Sequence, residues 1–218
     1  MINLFTDIPE FIIPDDAIVV ECGSNRGTET NFILKNINEN GKYFAFEPDP
    51  RCIKVFKKAV NDDRCILYEK AVGDFDGIIQ LKLSSGCPTN RCVGYNHIDA
   101  STIKGVSKYQ PILHPWLKWE NIIDVPIIKL DTWFDSVDIE HIDFMWAHVE
   151  GAQEELIKGG LNTLSKTDWL YLECFDDNIQ YDEELCTTEV LKLLPNFELV
   201  KQYSYDALFK NKGKIIHV

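Results

Sequence analysis

Short apolar runs alternate with amphipathic stretches along almost the whole chain, and this rhythm decides most of what it can fold into. Residues 17–22 (AIVVEC), 42–47 (KYFAFE) and 65–72 (CILYEKAV) read as buried strands bounded by turn residues. Between them, TNFILKNI and RCIKVFKKAV place apolar residues three and four apart, as a helix with one buried face requires. IIQLKL alternates like a half-exposed strand and VPIIKL reads as another. DTWFDSV follows as a short helix capped by Asp131, then residues 142–149 (IDFMWAHV) as a strongly apolar strand. AQEELIKGG is a helix ended by Gly159 and Gly160, WLYLEC a strand, EELCTTEVLKLL a helix, and FELVKQYS and DALFKN two closing strands. Parallel strands need long crossovers, so the alternation predicts an α/β fold, a mostly parallel sheet with helices on both faces.

The rhythm breaks at about residues 85–120, where Gly, Pro, Asn, Ser, His and two Trp follow one another with little periodicity. An irregular stretch of this length reads as an insert or lid in one domain spanning residues 1–218. Trp116 and Trp119 within it either stack on a ligand ring or pin the lid to the core. His97 and His114 read as solvated loop residues.

Chemistry concentrates where the first strand ends. Val20-Glu21-Cys22-Gly23-Ser24-Asn25-Arg26-Gly27 closes a strand and opens a helix at Thr28, with glycines at i and i+4. Such glycines let the backbone turn sharply beside a ligand and the helix end supplies free N–H groups. The GxxxG spacing lacks the middle glycine of a dinucleotide site, which argues against a nicotinamide oxidoreductase. Glu21 would repel a pyrophosphate but suits a ligand with an amino group or positive charge, such as S-adenosylmethionine. Glu47, 20 residues after Gly27 and followed by Pro48, ends the second strand, where a carboxylate can accept both ribose hydroxyls. Ala71, Val72 and Asp74 lie at the end of the third strand, where they can border an adenine ring.

With these sites in order, the chain resembles the FkbM family of S-adenosylmethionine-dependent methyltransferases. The matching segments are VECGSNRG, FAFEPDP, AVGDFDG, VPIIKLDTWFDS and IDFMWAHVEGAQEELIKGG. The resemblance implies a class I methyltransferase (Rossmann-like) three-layer sandwich, whose seven-stranded sheet has an antiparallel last strand. It also implies S-adenosyl-L-methionine as cofactor and methyl transfer to an oxygen, commonly on a sugar or glycan. Ser101 matches a family position near the cofactor. Where the family carries Lys-x-Asp-Val-Glu-Gly, this chain reads Trp146-Ala147-His148-Val149-Glu150-Gly151. Trp146 reads as core packing. His148, at the tip of a central strand, is read as a general base for the acceptor hydroxyl; a structural or binding histidine and a metal ligand are the alternatives. A divalent metal is not favoured, because hard cations prefer all-oxygen sites. Glu150, which can orient His148 or bind an acceptor hydroxyl, and Glu173, a second carboxylate on the same sheet edge, are the other catalytic candidates. Loss of the family's Lys and Asp also leaves open a catalytically impaired cofactor- or partner-binding module.

The net charge of −13 argues against a nucleic-acid partner, which would need a basic track, and no apolar run approaches the roughly 20 residues of a membrane span. Without a basic, apolar leader in MINLFTDIPEFIIPDD, the expected location is cytoplasmic. Seven cysteines with no CxxC pair give no zinc pattern. Cys87 and Cys92 are close enough to bridge, but reduced thiols are the expectation. The oligomeric state is not legible.

Overall fold

The structure, a computed structural model, describes residues 13–88, 97–108, 110–174, 181 and 184–213. Seven strands form the main sheet: β1 (Ile18–Cys22), β2 (Lys42–Phe46), β3 (Cys65–Tyr68), β7 (Ile142–Ala147), β8 (Thr167–Glu173), β9 (Phe197–Gln202) and β10 (Asp206–Asn211). Their order is β3-β2-β1-β7-β8-β10-β9. The first five are parallel, and β10 runs antiparallel to both β8 and β9. Strand order reverses at β1 and β7, the place where open α/β sheets form a crevice at the carboxyl ends of their strands.

Alternation along the strands sorts side chains onto two faces. Val20, Cys22, Phe44, Phe46, Met145 and Leu170 belong to one apolar cluster, with residues of α4 (Leu130–Ser136), α5 (Gln153–Lys158), α6 (Leu161–Ser165) and α7 (Thr187–Leu193). Val19, Tyr43, Ala45, Phe144 and Tyr171 belong to the other, with α1 (Thr28–Leu34) and α2 (Pro50–Ala59). Trp146 is buried in this second cluster, its ring stacked on Tyr171 with centroids 4.2 Å apart, which is the core packing expected.

The expected third strand divides. β3 ends at Tyr68, and β4 (Ala71–Val72) leaves for a second sheet of order β4-β6-β5, with β5 (Gly77–Ser85) and β6 (Lys118–Ile128) antiparallel. β6 therefore starts inside the stretch expected to be irregular, which also holds the short helix α3 (Gln110–Leu113). Trp119 pins this region to itself through an indole N–H donated to the Ala100 carbonyl, 2.8 Å away. Cys87 is disulfide-bonded, contrary to the expectation of reduced thiols throughout; Cys92 and residues 1–12 lie outside the described residues.

Helix starts follow from local chemistry at α2, where the Asp49 carboxylate accepts from the Arg51 N–H and Pro50 occupies the first turn. Asp131 behaves differently from its expected role. It lies inside α4, and its carboxylate caps α6 instead, accepting from the N–H and hydroxyl of Thr163, both at 2.8 Å. An Asp131→Ala variant is expected to lose about 1 kcal/mol of stability by denaturant melting. Its cofactor affinity should stay at the wild-type value, because the cap lies away from the crevice.

Candidate functional site

A cavity of about 370 Å3 opens at the carboxyl ends of β1, β2 and β7. Ligand pockets typically span roughly 300–1,000 Å3, so it is large enough for one small molecule. Gly23, Asn25 and Thr28 from the β1–α1 turn line it, with Glu47 and Pro48 after β2, Ala71 and Val72 of β4, Ser101, His148 and Glu150.

Gly23 makes this convergence possible. Its φ is +85°, and a Cβ placed there would lie 1.9 Å from the His148 carbonyl oxygen. The His148 N–H in turn donates to the Cys22 carbonyl at 2.8 Å, so the tips of β1 and β7 close on each other at the glycine. Glu47 is buried, and its two oxygens accept from the Asn25 and Asp49 N–H groups, both at 2.7 Å. Burial pushes its carboxyl up to about 7, against the pull of those two donors. Asn25 takes positive φ, and its side-chain oxygen is buried without a hydrogen-bond partner among the described residues.

Among the expected cofactor residues, Glu21, Ser24, Gly27 and Asp74 do not line the cavity, while Ser101 does. Glu21 shares a face with Val19 and lies buried against α1, accepting from the Thr30 hydroxyl at 2.5 Å and the Tyr43 hydroxyl at 2.8 Å. Burial drives its carboxyl up to about 8, with those hydroxyls pulling the other way. Ser24 and Gly27 shape the turn from behind, the Gly27 N–H donating to the Ser24 carbonyl at 2.9 Å. Asp74 is exposed and off the cavity. Ser101 lines the cavity, but its hydroxyl donates to Asp49 at 2.7 Å and accepts from Arg51 and the Ser84 N–H, both at 3.1 Å. One donor and two lone pairs are then all in use, which makes Ser101 an anchor of the insert.

His148 and Glu150 also line the cavity, and Glu173 lies beside them without lining it. His148 Nε2 lies 3.1 Å from Glu173 and 3.7 Å from Glu150, and one ligating atom from each residue falls within 4.8 Å of the others. This spacing suits sharing of a proton, and it is also within reach of a divalent cation. Burial opposes a charged imidazole here, but Glu173, by charge and hydrogen bond, and Glu150 outweigh it and hold His148 well above its ordinary range. That direction favours an imidazolium paired with Glu173 over the neutral imidazole expected from the sequence. Burial, then Glu173, raises the Glu150 carboxyl to about 8, against His148 and a hydrogen bond from the Tyr181 hydroxyl. Tyr181 carried no signal in the sequence, since no periodicity or motif surrounds it.

Glu21, Glu47, Glu150 and His148 all bind protons more tightly in the folded chain than their ordinary values allow. The folded state then holds more protons than the unfolded one from about pH 5 to about pH 8, so stability falls as pH rises through that window. Melting temperature of the ligand-free protein is expected to decline over it; a rise would contradict these shifts.

Residues 21–205 match the family profile described as the Methyltransferase FkbM domain. The 2-O-methyltransferase NoeI of Sinorhizobium fredii is 31% identical over 189 residues, covering 86% of this chain and 75% of that protein. Among solved structures, a candidate rRNA methylase from Clostridium thermocellum aligns with a TM-score of 0.53 at 12% identity, over 94% of this chain and 92% of that one. That likeness concerns the fold alone. No helix among the described residues is long and apolar enough to cross a membrane.

Proposed function

This chain belongs to the FkbM methyltransferase family, and we propose that it methylates a hydroxyl of a sugar, glycan or similar polyhydroxylated molecule. What supports the reading is that one cavity is lined by Gly23, Asn25 and Glu47 and also by His148 and Glu150, with Glu173 close behind the last two. The cofactor is S-adenosylmethionine, which supplies a methyl group activated on a sulfonium. The residues present fit it: the Gly23 cradle leaves room for close approach, Glu47 faces the cavity with lone pairs to spare for ribose hydroxyls, and Asn25 offers an unpartnered oxygen. Ala71, Val72 and Pro48 provide flat apolar walls for the base.

His148, Glu150 and Glu173 act on the acceptor. An attacking alcohol must lose its proton as the new bond forms. Glu150, whose proton occupancy changes near neutrality, takes that proton; the His148–Glu173 ion pair orients the hydroxyl and favours the ionised form of Glu150. Holding the hydroxyl oxygen in line with the methyl carbon supplies much of the remaining rate.

The test is incubation with S-adenosylmethionine and a panel of uncharged glycosides, followed by mass spectrometry and assay of S-adenosylhomocysteine. A methyl ether on one glycoside is the expected product. Calorimetric cofactor binding with no turnover across the panel would favour a binding module, and no cofactor binding would overturn the reading.

A further inference from the structure

We propose that Tyr181 is a positioning residue for this methyl transfer, its hydroxyl holding the Glu150 carboxylate toward the His148 side of the cavity. This rests on the reading of Glu150 as proton acceptor. Four contacts fix Glu150. Its carbonyl accepts from the Thr102 hydroxyl at 2.6 Å, its N–H donates to Glu173 at 3.3 Å, one carboxylate oxygen faces His148, and the other accepts from Tyr181. The first two hold the backbone in its left-handed turn, φ +50°. Only Tyr181, among the described residues, holds the side chain from the far side.

Tyr181 is itself held. It is buried, its N–H donates to Glu184 at 3.1 Å, and its backbone bridges to Val106 of the insert. Gly151, φ +92°, lets the tyrosine come close: a Cβ at Gly151 would meet the Tyr181 Cβ at 2.4 Å. The charged and titratable groups around Glu150 are His148 from β7, Glu173 from β8 and Glu184 beside Tyr181, with Asp206 on β10 opposite Glu173. Glu173 and Glu184 oppose its ionisation, so a hydroxyl donor counts for more here than in water.

Tyr181→Phe keeps the ring against Gly151 and removes only the donor. Glutamate carboxyl resonances of the 13C-labelled whole protein, bound to S-adenosylhomocysteine, report the effect, with Glu150→Gln identifying the Glu150 signal. The Glu150 midpoint is expected to rise by about one pH unit in Tyr181→Phe. Where a glycoside from the panel is turned over, kcat should fall about tenfold at neutral pH with cofactor affinity unchanged. The Tyr181 effect should also vanish in the Glu150→Gln background. An unmoved midpoint would overturn the proposal, as would an equal loss in both backgrounds. Failure of the methyltransferase reading would show separately, as absent cofactor binding in the wild type.

Discussion

Gly23→Ala is expected to abolish cofactor binding while the chain still folds. Two separate physical demands meet at this residue. A left-handed φ of +85° strains any L side chain, and the added methyl would overlap the His148 carbonyl oxygen at 1.9 Å. That carbonyl is backbone, at the end of a strand paired with β1 along its length, so it cannot move aside as a side-chain tip would. Relief has to come from parting the tips of β1 and β7, where the His148 N–H holds the Cys22 carbonyl. Strain and overpacking together cost about 2–5 kcal/mol. The same parting is expected to move the Asn25 N–H away from Glu47, 2.7 Å apart in the native turn, and so to open the wall proposed for the ribose. Calorimetry with S-adenosylhomocysteine and denaturant melting check the two effects. Wild-type affinity in the variant would mean that the β1–α1 turn does not hold the cofactor.

Which parts of this site could be read in the sequence follows from how local their causes are. Gly23 and Glu47 were legible because a strand end, a turn and a fixed spacing are short-range facts. Glu21 was misplaced because both faces of β1 are buried: alternation put it beside Val19, and the sequence could not say that Tyr43 and Thr30 would claim its carboxylate there. Asp131 sits near a helix start, yet the helix it caps begins 30 residues later, a pairing set by how α4 packs on α6. Ser101 does line the cavity, but the sequence could not show that its hydroxyl would be engaged by Asp49 and Arg51 from the turn after β2 and by the Ser84 N–H. The break of residues 65–72 into two strands reflects Ala71 and Val72 pairing with β6, more than fifty residues along the chain. The sheet itself was readable because buried parallel strands are continuous apolar runs.

Glu150→Gln is expected to lower turnover by about 10²- to 10⁴-fold while leaving cofactor affinity intact. Glutamine keeps the shape and can still accept from Tyr181, but it cannot take a proton. His148→Ala should also lose turnover and keep the cofactor, for a different reason. Removing the imidazolium takes away the cation that favours the ionised form of Glu150, leaving it beside Glu173 and Glu184. The two variants are therefore separable by pH. If Glu150 is the proton acceptor, the wild-type rate is expected to rise with pH through about 8, as Glu150 ionises. In His148→Ala that limb moves to higher pH, so part of the rate returns in alkaline buffer; in Glu150→Gln the limb disappears and no pH restores it. If His148 were instead the base, as the sequence alone led one to expect, His148→Ala would be flat with pH and Glu150→Gln would retain the limb. Rate–pH profiles of the two variants on the same acceptor decide between these assignments, because the ion pair of His148 with Glu173 predicts the first pattern and a neutral imidazole the second.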